Sequence, residues 1–284
     1  MNKDNLLVHV AYNNKQEIKL IEKLAESYGL NYHKVDLAES TFKTGDYIKY
    51  AKLVAIWNGM QQLGPLVTNL CNMRQIPRFY IEWGMLPQKE TYFIDPTGFC
   101  GKSILCKDIS WVNENDLLKL YETRLDLQDK YPISDEGYIL VPLQIENDTQ
   151  ILQFTKYRNM TEFIRDIEYM YPNSKIIVKT HPQSTAKRQF DRAVVTEQKD
   201  FMLLASKASL IVGLTSTTLY EAGILGKPVV ALGDHPLNSN DLYNRDKVLA
   251  GILALNINRE NGDIRSILDR FNYKISVYLS LIHI

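Results

Sequence analysis

The sequence has little cysteine: three residues in 284, at Cys71, Cys100 and Cys106. An odd count without paired spacing gives neither a disulfide framework nor a zinc ligand set, and it fits a reducing compartment. No charge of one sign dominates, with 33 Lys and Arg against 33 Asp and Glu. The composition therefore builds in no general attraction to nucleic acid or anionic lipid, although a local basic patch stays compatible with it. No apolar run reaches the ~18 residues needed to span a bilayer. The start of the chain, with Asp4 and the short run from Leu6 to Ala11, lacks the basic lead and long apolar core of a signal peptide. The expectation is a cytoplasmic protein, with peripheral membrane association left open. Also missing is any Asp-x-Asp triplet, the motif that holds a divalent ion against a diphosphate, so neither metal nor cofactor is expected. There are no repeats of solenoid period and no low-complexity tracts.

What is present is an ordinary folding composition, 45% hydrophobic and 23% charged. The length suits two compact domains. Leu6 to Ala11 reads as a strand, followed by helical spacing of Ile18, Ile21, Leu24 and Ala25. Strands over Tyr32 to Val35, Leu53 to Trp57 and Arg78 to Ile81 follow, with a helix over Met60 to Met73. From Glu82 to Ser110 periodicity fails and glycines and prolines punctuate a long connection. Helical spacing returns from Asn115 to Lys130, and Tyr131 to Gly137 looks like a linker. A second unit then alternates strands at Tyr138 to Leu143, Lys175 to Lys179, Ser209 to Gly213 and Pro228 to Leu232 with helices at Met160 to Tyr171, Phe201 to Ser206 and Ser216 to Leu225. A last helix follows Arg259, before an apolar tail from Ile275 to Ile284. This alternation predicts an α/β protein of two Rossmann-like, doubly wound domains facing a cleft, residues 1–133 and 134–284.

In such sheets ligands bind beyond the carboxyl ends of the strands. Three strand ends of the second half carry polar clusters: Gln144 running to Asp148, Lys179-Thr180-His181-Pro182, and Thr215-Ser216-Thr217-Thr218 running to Glu221. Thr215 or Ser216 is expected to cap a helix whose first amides and dipole receive a phosphate. Glu221, about one turn in, is placed to accept hydrogen bonds from the vicinal hydroxyls of a ribose. Lys179 and His181, at alternating positions of an extended segment, would project to one side and stabilise charge on a leaving group.

Val141-Pro142-Leu143-Gln144 with Asp148-Thr149-Gln150, Val178-Lys179-Thr180-His181-Pro182, Thr215 to Thr218 with Glu221-Ala222, and Gly226-Lys227-Pro228-Val229 together resemble the capsule polysaccharide biosynthesis family, which includes bacterial Kdo transferases of the GT-B fold. The resemblance covers roughly Tyr138 to Gly233. It implies a GT-B glycosyltransferase in which Lys179, His181, Ser216, Thr217 and Glu221 surround the nucleotide of a sugar donor, CMP-Kdo-like or UDP-linked. In the first half, Tyr80-Ile81-Glu82-Trp83-Gly84 resembles the family's Glu-Asp-Gly segment, with Trp83 standing where the family has an acidic residue. A carboxylate that takes the acceptor's proton is the chemical requirement. Glu82 is the first candidate and Asp95 the second, with Asn58 and Gly59 expected to line the acceptor side.

The expected partners are a nucleotide-sugar donor and a polysaccharide or glycolipid acceptor, a base in phage DNA being the alternative acceptor. Two other readings use the same scaffold: a nucleotide-sugar epimerase or hydrolase, and a non-catalytic nucleotide-sugar-binding protein.

Overall fold

The computed structural model describes residues 5–12, 14–36, 41–184, 189–238 and 242–273. In chain order its elements begin β1 (Leu6–Ala11), α1 (Lys15–Ser27), β2 (Asn31–Asp36), α2 (Thr41–Ile48), β3 (Ala51–Trp57), α3 (Gly64–Arg74), β4 (Arg78–Trp83), β5 (Thr91–Asp95) and α4 (Glu114–Lys130). They continue with β6 (Tyr138–Pro142), α5 (Thr149–Phe154), α6 (Met160–Met170), β7 (Lys175–Lys179), β8 (Val194–Val195), α7 (Phe201–Lys207) and β9 (Leu210–Gly213). The last are α8 (Thr218–Leu225), β10 (Val229–Ala231), α9 (Leu242–Ala254), β11 (Asn256–Asn258) and α10 (Ile264–Arg270). The protein is thus mixed α/β with two sheets.

The first sheet runs β11-β5-β4-β3-β1-β2. β1 through β4 are parallel, and β1, β3 and β4 are buried along nearly their whole length, as strands covered on both faces must be, whereas β2 at the edge buries only Val35. α1 begins where the Asn14 side chain accepts from the Gln16 amide, and it turns Leu20, Ile21, Leu24 and Ala25 inward. The second sheet, β10-β9-β6-β7-β8, is parallel throughout. One core there gathers Ile139 and Val141 of β6, Ile176 and Val178 of β7, Val212 of β9 and the inner face of α6. Each fully buried side chain of this size contributes about 1.5–3 kcal/mol against the entropy of ordering the chain.

The chain divides into two units, Met1–Ile104 with Ala254–Ile284, and Leu105–Leu253. This differs from the division expected near Lys130 to Gly137, for two physical reasons. β11 pairs antiparallel with β5, and the Ile94 amide donates to Leu255 O, so residues after 254 close the edge of the first sheet. α4, expected in the first domain, lies in the second unit, where Arg124 Nε and Gln128 Nε2 donate to the last carbonyls of α8, Ile224 O and Leu225 O. The supposed linker is held in the same unit, Ser134 and Glu136 donating their amides to Ser206 O and Lys207 O. The connection after Glu82 also contains a strand the sequence did not announce, β5, buried at all five positions and paired with β4. The apolar tail from Ile275 to Ile284 lies outside the described residues. Among the described residues no helix is long and apolar enough to cross a membrane.

Candidate functional site

In the second unit β6 is central, with β9 on one side and β7 on the other. Parallel pairing brings the carboxyl ends of all three to one edge, so the three polar clusters of the sequence meet there. Gln144, just past β6, holds the loop after β9: the Thr215 amide donates to Gln144 Oε1 at 3.0 Å, and Gln144 Nε2 donates to Thr215 Oγ1 at 3.1 Å. Thr215 is buried and fully engaged by this exchange. Its hydroxyl therefore positions the loop and does not cap the helix.

The helix start differs from expectation in the same way. α8 begins at Thr218, its N-cap is Thr217, and no side chain caps it. The Ser216 hydroxyl instead accepts from the Thr218 amide at 3.3 Å and pairs with the Thr218 hydroxyl at 2.7 Å. The amides of Leu219 and Tyr220 turn back to Ser216 O and Thr217 O. The Ser216 and Thr217 amides have no acceptor among the described residues, and the Ser216 and Thr218 hydroxyls lie beside them.

Asp148, Lys179 and His181 gather after β6 and β7. Asp148 is the N-cap of α5, accepting from the Gln150 amide at 2.8 Å. β7 ends at Lys179, and His181 sits in a turn, its Nδ1 accepting from the Gln183 amide at 3.2 Å, so the extended geometry expected for the pair stops at Lys179. Burial lowers the His181 pKa, Asp148 opposing and Lys179 adding to the effect. The imidazole is thereby neutral at pH 7, with Nδ1 as acceptor and Nε2 as N–H donor. Glu221, in the first turn of α8, has its pKa pushed up to about 7 by desolvation, with Asp200 adding to the rise.

Sequence reasoning missed His235. It lies past β10, the neighbour of β9, is buried, and stacks on Tyr220 of α8 at 4.4 Å between ring centroids. Its Nδ1 accepts from the Leu237 amide at 3.1 Å, and its Nε2 has no partner among the described residues. Desolvation pushes its pKa down to about 3. Its position in Gly233-Asp234-His235-Pro236, directly after a strand, was the available signal. A cavity of about 330 Å³ in this unit, lined by residues including Arg124, Gly226, Val229, Leu237 and Asp246, lies at the end of α8 and the start of β10.

In the first unit the two candidate bases part company. Asp95 is fully buried, and it accepts from Thr97 N at 2.7 Å, Gly98 N at 3.0 Å, Ser103 Oγ at 2.6 Å and Ile104 N at 3.1 Å. These bonds bind it to the loop 96–104, although burial still lifts its pKa to about 6. Its geometry is that of a loop organiser. Glu82, one residue from the end of β4, is 8% exposed. Its Oε2 accepts from Asn58 Nδ2 and its Oε1 from the Trp83 amide at 2.9 Å. Asn58 and Gly59 turn sharply after β3, both at positive φ, 57° and 73°. A Cβ on Gly59 would stand 2.5 Å from the Tyr80 ring, so glycine is required for backbone and ring to approach. The structure therefore joins Glu82, Asn58 and Gly59 and leaves Asp95 apart. Among the described residues no group of three His, Cys, Asp or Glu side chains is arranged to hold a metal ion.

One family model matches the part of the chain that holds the polar clusters of the second unit. The family model described as capsule polysaccharide biosynthesis protein matches residues 119–240. Protein FixF of Sinorhizobium fredii is 25% identical over 190 residues, which cover 59% of this chain and 45% of FixF. The capsule polysaccharide modification protein LipA of Neisseria meningitidis serogroup A is 33% identical over 116 residues, 36% of this chain and 16% of LipA. The chain thus spans less than half the length of these curated relatives. Among solved structures, the Thermosulfurimonas dismutans KpsC beta Kdo 2,7 transferase superposes with a TM-score of 0.66 at 18% identity, covering 95% of this chain and 98% of that one. That likeness speaks for the fold. The resemblance to the capsule polysaccharide biosynthesis family therefore holds, and residues 119–240 carry it.

Proposed function

We propose that the chain is a metal-independent glycosyltransferase of the GT-B type, with two Rossmann-like units. The second unit binds a nucleotide-sugar donor, CMP-Kdo-like or UDP-linked. The first binds a polysaccharide or glycolipid acceptor. The observation that carries this reading is the meeting of three strand ends, β9, β6 and β7, each bearing polar groups suited to one part of a nucleotide. The Ser216 and Thr217 amides and the nearby hydroxyls suit a phosphate, at the positive end of α8. Glu221 suits the ribose diol, and the neutral His181 donates to a phosphate oxygen beside Lys179. The donor's leaving charge is then met by amides, a helix dipole and Lys179, with no step that calls for a divalent ion. Glu82 takes the acceptor proton once the acceptor hydroxyl replaces the Asn58 amide on its Oε2.

One observation favours a second reading. Both candidate bases of the first unit, Glu82 and Asp95, are buried and hydrogen-bonded, as in a protein that binds a nucleotide sugar without turning it over. Release of free nucleotide from CMP-Kdo and from UDP-sugars in EDTA, with and without capsular polysaccharide, separates the two. The transferase reading predicts acceptor-dependent release that falls roughly 100-fold or more in Glu82→Ala, with nucleotide affinity unchanged. Nucleotide binding without turnover in any acceptor mixture would establish the second.

A further inference from the structure

The cavity of about 330 Å³ between α8, β10 and α9 has charged side chains in its wall: Arg124 of α4, Lys227, and Arg245 and Asp246 of α9. Three are cations and one is an anion. Asp246 answers only one of the cations, its Oδ1 accepting from Arg124 Nη2 at 2.7 Å. Its other oxygen accepts from the Tyr121 phenol at 3.3 Å, so both are taken. Lys227 Nζ donates to two neutral carbonyls, Ser134 O at 3.0 Å and Ser206 O at 3.2 Å, which hold the ammonium without cancelling its charge. The wall therefore keeps an excess of positive charge.

That excess sits where water screens it poorly. The Arg124 and Asp246 side chains are only 20% and 28% exposed. Charge held in such a half-buried space draws counter-ions more strongly than the same charge on an open surface. Arg124 is also fixed in place, Nε donating to Ile224 O at the end of α8, while its Nη1 has no acceptor among the described residues.

The rest of the wall is largely hydrocarbon, with Val229 of β10, Leu237 and Leu249 of α9. Glycine keeps the space open: a Cβ on Gly223 would stand 3.0 Å from Leu249 Cδ2, itself part of the wall. Apolar walls with a few convergent charged groups, at this volume, suit a small molecule. We propose that this cavity binds a small organic anion, an apolar body carrying one acidic group. Arg124 and Arg245 take the acidic group, and Val229, Leu237 and Leu249 take the body. None of the residues assigned to the sugar donor lines the cavity, so the site stands apart from the proposed transferase chemistry.

Calorimetric titration of the full chain with benzoate, phenyl phosphate and the neutral benzyl alcohol tests it. At least one of the two anions should bind with a Kd below about 1 mM, and benzyl alcohol at least about tenfold more weakly. The two anions tell a carboxylate ligand from a phosphate. Arg245, half-buried on α9, can be replaced without opening the core. Arg245→Gln should weaken the anion roughly tenfold, whereas Asp246→Asn, which frees Arg124 from its competitor, should strengthen it about threefold. Loss of folding would not give opposite signs at adjacent residues of one helix, and thermal unfolding verifies that both variants fold. Binding of neither anion up to about 10 mM, equal binding of benzyl alcohol, or unchanged binding in Arg245→Gln would overturn the site. So would displacement of the anion by CMP or UDP, which would move it to the donor clusters.

Discussion

Two titratable side chains of the second unit, the half-buried Glu221 and the buried His235, pull stability in opposite directions with pH. Glu221 has a folded pKa of about 7, above its unfolded value, so the folded state holds its proton more tightly. Stability then falls as pH rises through about 4.5 to 7 and stays low above that range. Glu221→Gln should remove this loss, making the apoprotein more stable at pH 8 by on the order of 2 kcal/mol. His235 is the reverse case, with a folded pKa near 3 and an unfolded value near 6.5. Its stabilising contribution is complete above pH 6.5 and is lost as pH falls toward 3. His235→Gln should therefore flatten the acid limb, and urea midpoints across pH 4 to 8 for both variants distinguish the two slopes. The same carboxylate gives nucleotide binding a sign. Both hydroxyls of a ribose diol donate more strongly to the ionised form, whose two oxygens accept, than to the protonated one, so affinity should rise from pH 6 to 8, with proton release in calorimetry near pH 6.5. Affinity that falls over that range would remove Glu221 from the ribose.

At the scale of elements, the polar clusters were legible because each directly follows a short apolar run. β6, β7, β9 and β10 lie within a residue or two of where the sequence places them. Parallel strands covered on both faces need continuous apolar residues, and such runs declare themselves. The start of α8 was less legible. Thr215 and Ser216 are good capping residues by type, yet Gln144, 71 positions away, claims Thr215, and a cap lost to a long-range partner leaves no local trace. β11 was invisible for a related reason: Asn256, Ile257 and Asn258 have little strand pattern and become a strand through pairing with β5. The end of α8 follows local rules, with Gly226 at φ 94° in the left-handed cap and Arg124 and Gln128 donating to the last carbonyls. Gly226→Ala should cost about 1 kcal/mol, since the new Cβ must adopt that φ and would stand 3.0 Å from Gln128 Nε2. Chemical denaturation measures it directly. A neutral result would mean that the cap relaxes without cost.

At the scale of the molecule, the sequence conveys two α/β units and misplaces their boundary. Alternating strands and helices are local patterns, whereas the return of residues after 254 to the first sheet is a long-range pairing that no window of sequence contains. The same reasoning applies to the stack of Tyr12, Trp57, Trp83 and Tyr92 with Arg259 in the first unit, whose members are ordinary strand-end residues until the sheet gathers them. The proposal that the second unit binds a nucleotide without metal belongs to this scale too. Calorimetric titration of the full chain in EDTA with CMP, UDP, GDP and ADP tests it most directly. The account predicts selective binding of CMP or UDP, weakened roughly tenfold in His181→Ala and unchanged in Glu82→Ala. Binding of none of the four, or binding that appears only when a divalent metal is restored, would contradict it.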